Sequence, residues 1–213
     1  MVKLDIFSDP ICPWCLIGKT WLEAALAQRP GHPFAITWHP FMLNPDMPPA
    51  GIDRREYLEA KFGAKAEAAR IHGHIDDVAR AAGLDLNLAG ITRTPNTRDA
   101  HRLILWAEIE GAQAAIVDAL FRAYFFDGRD IGDRDTLADV ADSAGLDAAV
   151  VRRLLDGDSD LREIVDRDAA ARAMGLTSVP SFIVAGQHAV SGAQPTDLWL
   201  QVIDEVTGAD ARA

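Results

Sequence analysis

The spacing of hydrophobic and polar positions changes along the chain, and the changes outline its elements. In Lys3-Leu4-Asp5-Ile6-Phe7-Ser8 the apolar side chains of Leu4 and Ile6 alternate with polar ones, which predicts a strand. Trp14, Ile17, Trp21, Leu22, Ala25 and Leu26 then recur at helical spacing. Phe34 to Phe41 predicts a second strand, closing a strand-helix-strand unit. The proline-rich stretch Asn44-Pro45-Asp46-Met47-Pro48-Pro49-Ala50-Gly51 reads as a boundary. Beyond it the pattern is helical to about Gly175. Helices are expected over Arg54 to Phe62, Ala66 to Ala82, Asn96 or Thr97 to Glu110, Ala112 to Phe126, Thr136 to Ala144, Ala148 to Leu155, and from Ser159 or Asp160 to Met174. Leu86-Asn87-Leu88 looks extended, and Gly111, Gly145, Gly157 and Gly175 are placed as helix stops. After Gly175 the pattern turns to Phe182-Ile183-Val184, a Gly186-Gln187 turn and His188-Ala189-Val190-Ser191, a hairpin, before a last helix opened by Pro195-Thr196. This order predicts an α/β chain in which residues 1–50 and 175–213 form one discontinuous domain and 51–174 an inserted helical subdomain.

Chemistry concentrates at Cys12-Pro13-Trp14-Cys15, which holds both cysteines of the chain. The pair falls where the first strand gives way to the first helix. Pro13 suits the first helical position, where its missing N–H costs nothing. Free N–H groups and the positive end of the helix dipole favour a thiolate at Cys12, the form that attacks disulfides. Cys12 is expected as the exposed nucleophile, with Cys15 one turn inside the helix. A closed zinc site needs four ligands, and there is no second cysteine pair. His72 and His74 stand two apart on a helix and face different ways, so no metal site is expected. An inert pair of buried cysteines is the blander reading; the strand, CxxC, helix arrangement favours redox chemistry.

Charge narrows the partners. With 21 basic and 32 acidic residues the net charge is −11, which disfavours nucleic-acid backbones and anionic membranes. No stretch approaches a membrane span, and no apolar leader stands in the first residues, so a cytoplasmic protein is expected. In that reducing setting a cycling dithiol is more plausible than a permanent disulfide.

Four segments carry a family resemblance. They are Ser8-Asp9-Pro10-Ile11-Cys12-Pro13-Trp14-Cys15-Leu16-Ile17-Gly18, Phe41-Met42-Leu43-Asn44-Pro45-Asp46-Met47-Pro48, Asn96-Thr97-Arg98-Asp99-Ala100-His101-Arg102-Leu103 and Gly175-Leu176-Thr177-Ser178-Val179-Pro180-Ser181-Phe182. Together with the element order they resemble the DsbA-like oxidoreductases, in the FrnE-type branch, within a superfamily shared with 2-hydroxychromene-2-carboxylate isomerases and kappa-class glutathione transferases. The resemblance implies a thioredoxin fold with a large all-helical insertion and a thiol-disulfide oxidoreductase or isomerase working through a mixed disulfide. The isomerases typically place Ser where Cys12 stands, and here both cysteines are present. A glutathione-dependent isomerase acting on an aromatic or polyketide-like molecule is the alternative.

By the same resemblance Val179-Pro180 is a cis-proline segment beside the dithiol, and Pro13, Trp14, Val179, Pro180, Asn96 and His101 contact substrate. The resemblance implies no tightly bound cofactor. Glutathione is a candidate reductant or co-substrate, a disulfide- or thiol-bearing protein or small molecule the partner, and a second copy of the chain a candidate dimer mate. The intervening Pro13-Trp14 lacks the histidine of periplasmic DsbA, so that protein's oxidising poise does not carry over.

Weaker signals remain. Asn96 and Thr97 read first as a helix cap, His39 and His101 as hydrogen-bonded histidines, and Asp9 as either a turn residue or a proton acceptor near Cys15. Trp21, Trp106 and Trp199 are expected in the core, and Lys19 in solvent.

Overall fold

The computed structural model describes residues 1–63 and 65–210. Its central sheet places the strands in the order Phe34–Pro40, Val2–Ser8, Ser181–Val184, His188–Ser191. Strand β1 (Val2–Ser8) runs into helix α1 (Pro13–Gln28) and then into β2 (Phe34–Pro40), which lies parallel to β1 with Leu4 opposite Ile36 and Ile6 opposite Trp38. Near the other end of the chain β5 (Ser181–Val184) joins β1 antiparallel, Ile6 facing Phe182, and β6 (His188–Ser191) completes the hairpin. Helix α9 (Thr196–Asp210) packs on α1. Leu4, Ile6, Leu22, Phe182 and Trp199 share the core, with the Phe182 and Trp199 rings edge to face at 4.7 Å.

β1 is central, so it is buried on both faces from Leu4 onward. That takes in Asp5, which is satisfied by the His39 ring at 2.6 Å and by Lys3 at 3.0 Å. β2 is an edge strand, and its outer side is closed by a side chain. Gln113 Oε1 accepts from the Trp38 N–H at 2.9 Å, and its Nε2 donates to the Trp38 carbonyl at 3.0 Å. One glutamine thus stands where a neighbouring strand would pair.

Between β2 and β5 lie α2 (Arg54–Phe62), α3 (Lys65–Ala81), α4 (Arg98–Ile109), α5 (Gln113–Phe125), α6 (Arg134–Ser143), α7 (Ala148–Leu155) and α8 (Leu161–Ala173). This mix of sheet and inserted helices is the thioredoxin-type architecture expected from sequence. Asp53, Asp133 and Asp147 cap α2, α6 and α7 by accepting from backbone N–H groups of the first turn. Gly111, Gly145 and Gly175 end their helices at φ of 70°, 87° and 91°, where a Cβ is penalised. Gly157 does not use that region; its carbonyl instead accepts from Arg102. Arg102, 2% exposed, also donates to the carbonyls of Leu154 and Ser159, and so fastens α4 to the α7–α8 connection.

Several expectations need correction. Leu86-Asn87-Leu88 is not extended: Asn87 caps a single 3₁₀ turn over Leu88–Gly90, its side chain accepting from the Gly90 N–H at 3.0 Å. Two short strands escaped the pattern, β3 (Ile52–Asp53) and β4 (Arg93–Thr94), because two residues are too few to show a period. Asp160 occupies the cap position of α8 at φ 59° without capping; its carboxylate accepts from the Trp106 indole instead. Lys19 is not solvated. It is 5% exposed, with its ammonium held between Glu23 and Asp118. Trp106 and Trp199 are core residues, while Trp21 is half-buried.

Candidate functional site

The dithiol lies at the junction of β1 and α1. Asp9 to Cys12 form a turn closed by the Cys12 N–H on the Asp9 carbonyl at 2.9 Å, and Cys12 takes the cap position of α1 with Pro13 first in the helix. The Cys15 N–H returns to the Cys12 carbonyl at 3.1 Å, which fixes the two cysteines one turn apart. Both thiols are free. The expected contrast in exposure is small: Cys12 is 3% and Cys15 1% exposed, because the far segment of the chain covers Cys12. Pro13 and Trp14 are half-buried at the rim.

That far segment is Val179-Pro180, whose peptide is cis. Cys12 Sγ donates to the Val179 carbonyl at 3.7 Å. The approach depends on Gly18, the next residue down the same face of α1 from Cys15. A Cβ there would stand 3.1 Å from Pro180 Cγ and 3.2 Å from Ala193 Cα. The sequence alone gives Gly18 no role, since a close backbone approach leaves no local signal beyond the glycine itself.

Burial pushes the Cys15 thiol well above its ordinary value, and the neighbouring Cys12 adds to the rise; the Ser8 hydroxyl and the Asp9 backbone oppose it. At neutral pH Cys15 therefore keeps its proton until a reaction step demands otherwise.

Asp9 is the hub beneath this loop. It is fully buried and accepts from the Ile11 N–H at 3.2 Å, the Leu43 N–H at 2.7 Å and the Thr97 hydroxyl at 3.4 Å. Burial outweighs these bonds and raises its pKa from 3.8 to about 7. Asp9 is thus a turn residue that also joins the dithiol loop to the β2 exit and to the start of α4.

Of the two α4 candidates, neither bonds to the cysteines. Asn96 Nδ2 donates to the Met47 carbonyl at 2.6 Å and its Oδ1 accepts from the Arg98 N–H, so the cap bond belongs to Asn96 although Thr97 holds the cap position. His101 is 2% exposed, and burial lowers its pKa to about 4 against the pull of Asp168. It is a neutral imidazole whose Nε2 has no hydrogen-bond partner among the described residues. Thr97, not Asn96, reaches the dithiol loop through Asp9.

A histidine that the sequence showed only as facing away from His72 also reaches the dithiol loop. His74 on α3 lays its ring 5.7 Å from that of Trp14, tilted 49°. A cavity of about 580 Å³ between α2 and α3, lined by Arg54, Leu58, His72 and Ile91 among others, includes neither cysteine in its wall.

Comparison with known proteins agrees with this geometry. The model of the DsbA-like thioredoxin domain family matches residues 3–204. Among solved structures, the probable DsbA oxidoreductase SCO1869 from Streptomyces coelicolor is 32% identical, with a TM-score of 0.86 over 98% of this chain and 91% of that one. A 2-hydroxychromene-2-carboxylate isomerase is 18% identical, with a TM-score of 0.71 over 99% and 96% of the two chains. The cytosolic disulfide reductase DsbM from Pseudomonas aeruginosa, with GSH, is 21% identical, with a TM-score of 0.66 over 96% and 98%.

Proposed function

Because the chain belongs to the DsbA-like thioredoxin family, we propose that it is a thiol-disulfide oxidoreductase using Cys12 and Cys15, set in the cytoplasm, with glutathione or a similar thiol as its reductant and no tightly bound cofactor. The observation that carries this reading is the free Cys12 thiol at the start of α1, facing the Val179 carbonyl with Cys15 one turn behind. The Cys12 thiolate attacks one sulfur of a substrate disulfide; the S–S bond breaks, one thiolate leaves, and a Cys12–substrate disulfide forms. Cys15 then gives up its proton and attacks Cys12 sulfur, releasing the second substrate thiolate. The substrate has gained two electrons and the Cys12–Cys15 pair has become a disulfide. Two equivalents of glutathione restore the dithiol, and the reverse sequence oxidises a substrate. Likeness to a cytosolic disulfide reductase solved with GSH supports both the setting and the reductant.

Insulin reduction with a thiol donor tests the proposal. The wild type turns over, Cys12→Ser does not, and Cys15→Ser accumulates mixed disulfides through Cys12. Retained turnover in Cys12→Ser would overturn the assignment. The isomerase reading draws on the structural likeness to the chromene-carboxylate enzyme. Its test is glutathione-dependent isomerisation of a chromene carboxylate. Efficient conversion that survives Cys15→Ala would replace the oxidoreductase reading.

A further inference from the structure

We propose that His74 is a positioning residue for the dithiol, holding the Trp14 ring in place at the rim so that a substrate disulfide meets Cys12 in one orientation. The proposal rests on the dithiol reading above. Trp14 stands between the two cysteines in sequence and is half-buried, whereas Cys12 is 3% exposed. A substrate sulfur therefore reaches Cys12 past the bulkiest side chain of the loop. The position of that indole decides both the opening and the surface on which an extended substrate lies.

One side of the indole packs against the hydrophobic core. On its other side the one ring packed on Trp14 among the described residues is that of His74, at 5.7 Å and 49°. His74 comes from α3, which packs against α1. It lies about 200° around that helix from His72, which lines the cavity on another side. His74 is exposed, so its substitution removes the ring contact without opening the core. An inserted helix thereby supplies one wall of the site.

The test compares His74→Ala with His74→Phe in the full chain. In a Cys15→Ser background, the rate of Cys12 alkylation by iodoacetamide rises about two- to tenfold for His74→Ala, the worth of one aromatic pair. With both cysteines intact, KM for insulin rises by a similar factor while kcat holds. His74→Phe, which keeps a ring at that position, restores both values. The emission of Trp14, read as the difference from Trp14→Phe, changes in His74→Ala and returns in His74→Phe. Unchanged alkylation in His74→Ala, or no recovery in His74→Phe, overturns the proposal. A wild type that never reduces insulin overturns the oxidoreductase reading instead, and the alkylation and emission arms still judge His74.

Discussion

Asp9 stays buried under the dithiol loop because three donors from separate parts of the chain meet its carboxyl group. Its raised pKa has a consequence for stability. Folded Asp9 holds its proton up to about pH 7, while the unfolded chain releases it near the ordinary 3.8. Across that window the folded state binds more protons, so this group's contribution to stability falls as pH rises and levels off above about 7. Asp9→Asn keeps one acceptor oxygen and turns an N–H toward the other backbone donor, a loss of about 1–3 kcal/mol. Urea unfolding at a series of pH values should show the variant at its greatest disadvantage below about pH 4, with the gap narrowing from there upward. The gap should close toward pH 8, since the wild type alone loses a proton. A gap independent of pH would contradict the raised pKa. Sequence could mark Asp9 as unusual, one residue into the turn before the dithiol. It could not supply Leu43 and Thr97, which arrive from 34 and 88 residues away.

For elements, legibility followed length. The strand at Val2–Ser8, α1 and the long inserted helices repeat their period several times, and each was placed within a residue or two. The 3₁₀ turn at Leu88–Gly90 and the β3–β4 pair are no longer than one period, so nothing repeats to reveal them. How two elements meet was also hidden, and Gly18 shows why it matters. Replacing it with Ala improves helix propensity by about 1 kcal/mol. The new Cβ must press on Pro180 and Ala193 at 3.1–3.2 Å, an overpacking that costs about 1–3 kcal/mol. The net is a loss of at most about 2 kcal/mol, so Gly18→Ala should still fold. Its disulfide turnover should nevertheless fall several-fold, because Pro180 and the Val179 carbonyl are pushed off Cys12. Wild-type turnover in a stably folded Gly18→Ala would show that this approach plays no part in the chemistry.

At the scale of the whole molecule, the order of elements was readable because a helical block separates two α/β segments of plainly different pattern. The closure of the sheet edge was not. Gln113 opens α5, yet its side chain serves β2, and nothing in a helical pattern points to a strand 75 residues earlier. Gln113→Leu fills similar space but strands the buried N–H and carbonyl of Trp38, at about 1–3 kcal/mol each. Calorimetry should therefore find a clearly lowered Tm, and light scattering a faster growth of aggregates from the opened edge. An unchanged Tm would mean that water satisfies Trp38 equally well.

The 167 residues between Cys12 and Val179 also set an order of events in time. A ribosome finishes Cys12 and Cys15 first and reaches Val179 roughly ten to thirty seconds later, at ~5–20 residues per second. Through that interval the emerging chain carries two thiols with no carbonyl to meet and a Gly18 with no proline against it. Such thiols exchange with whatever disulfide diffuses past. Completion of β5 is the moment at which this general reactivity is gathered into a shaped site, so a segment made late completes what a segment made early began.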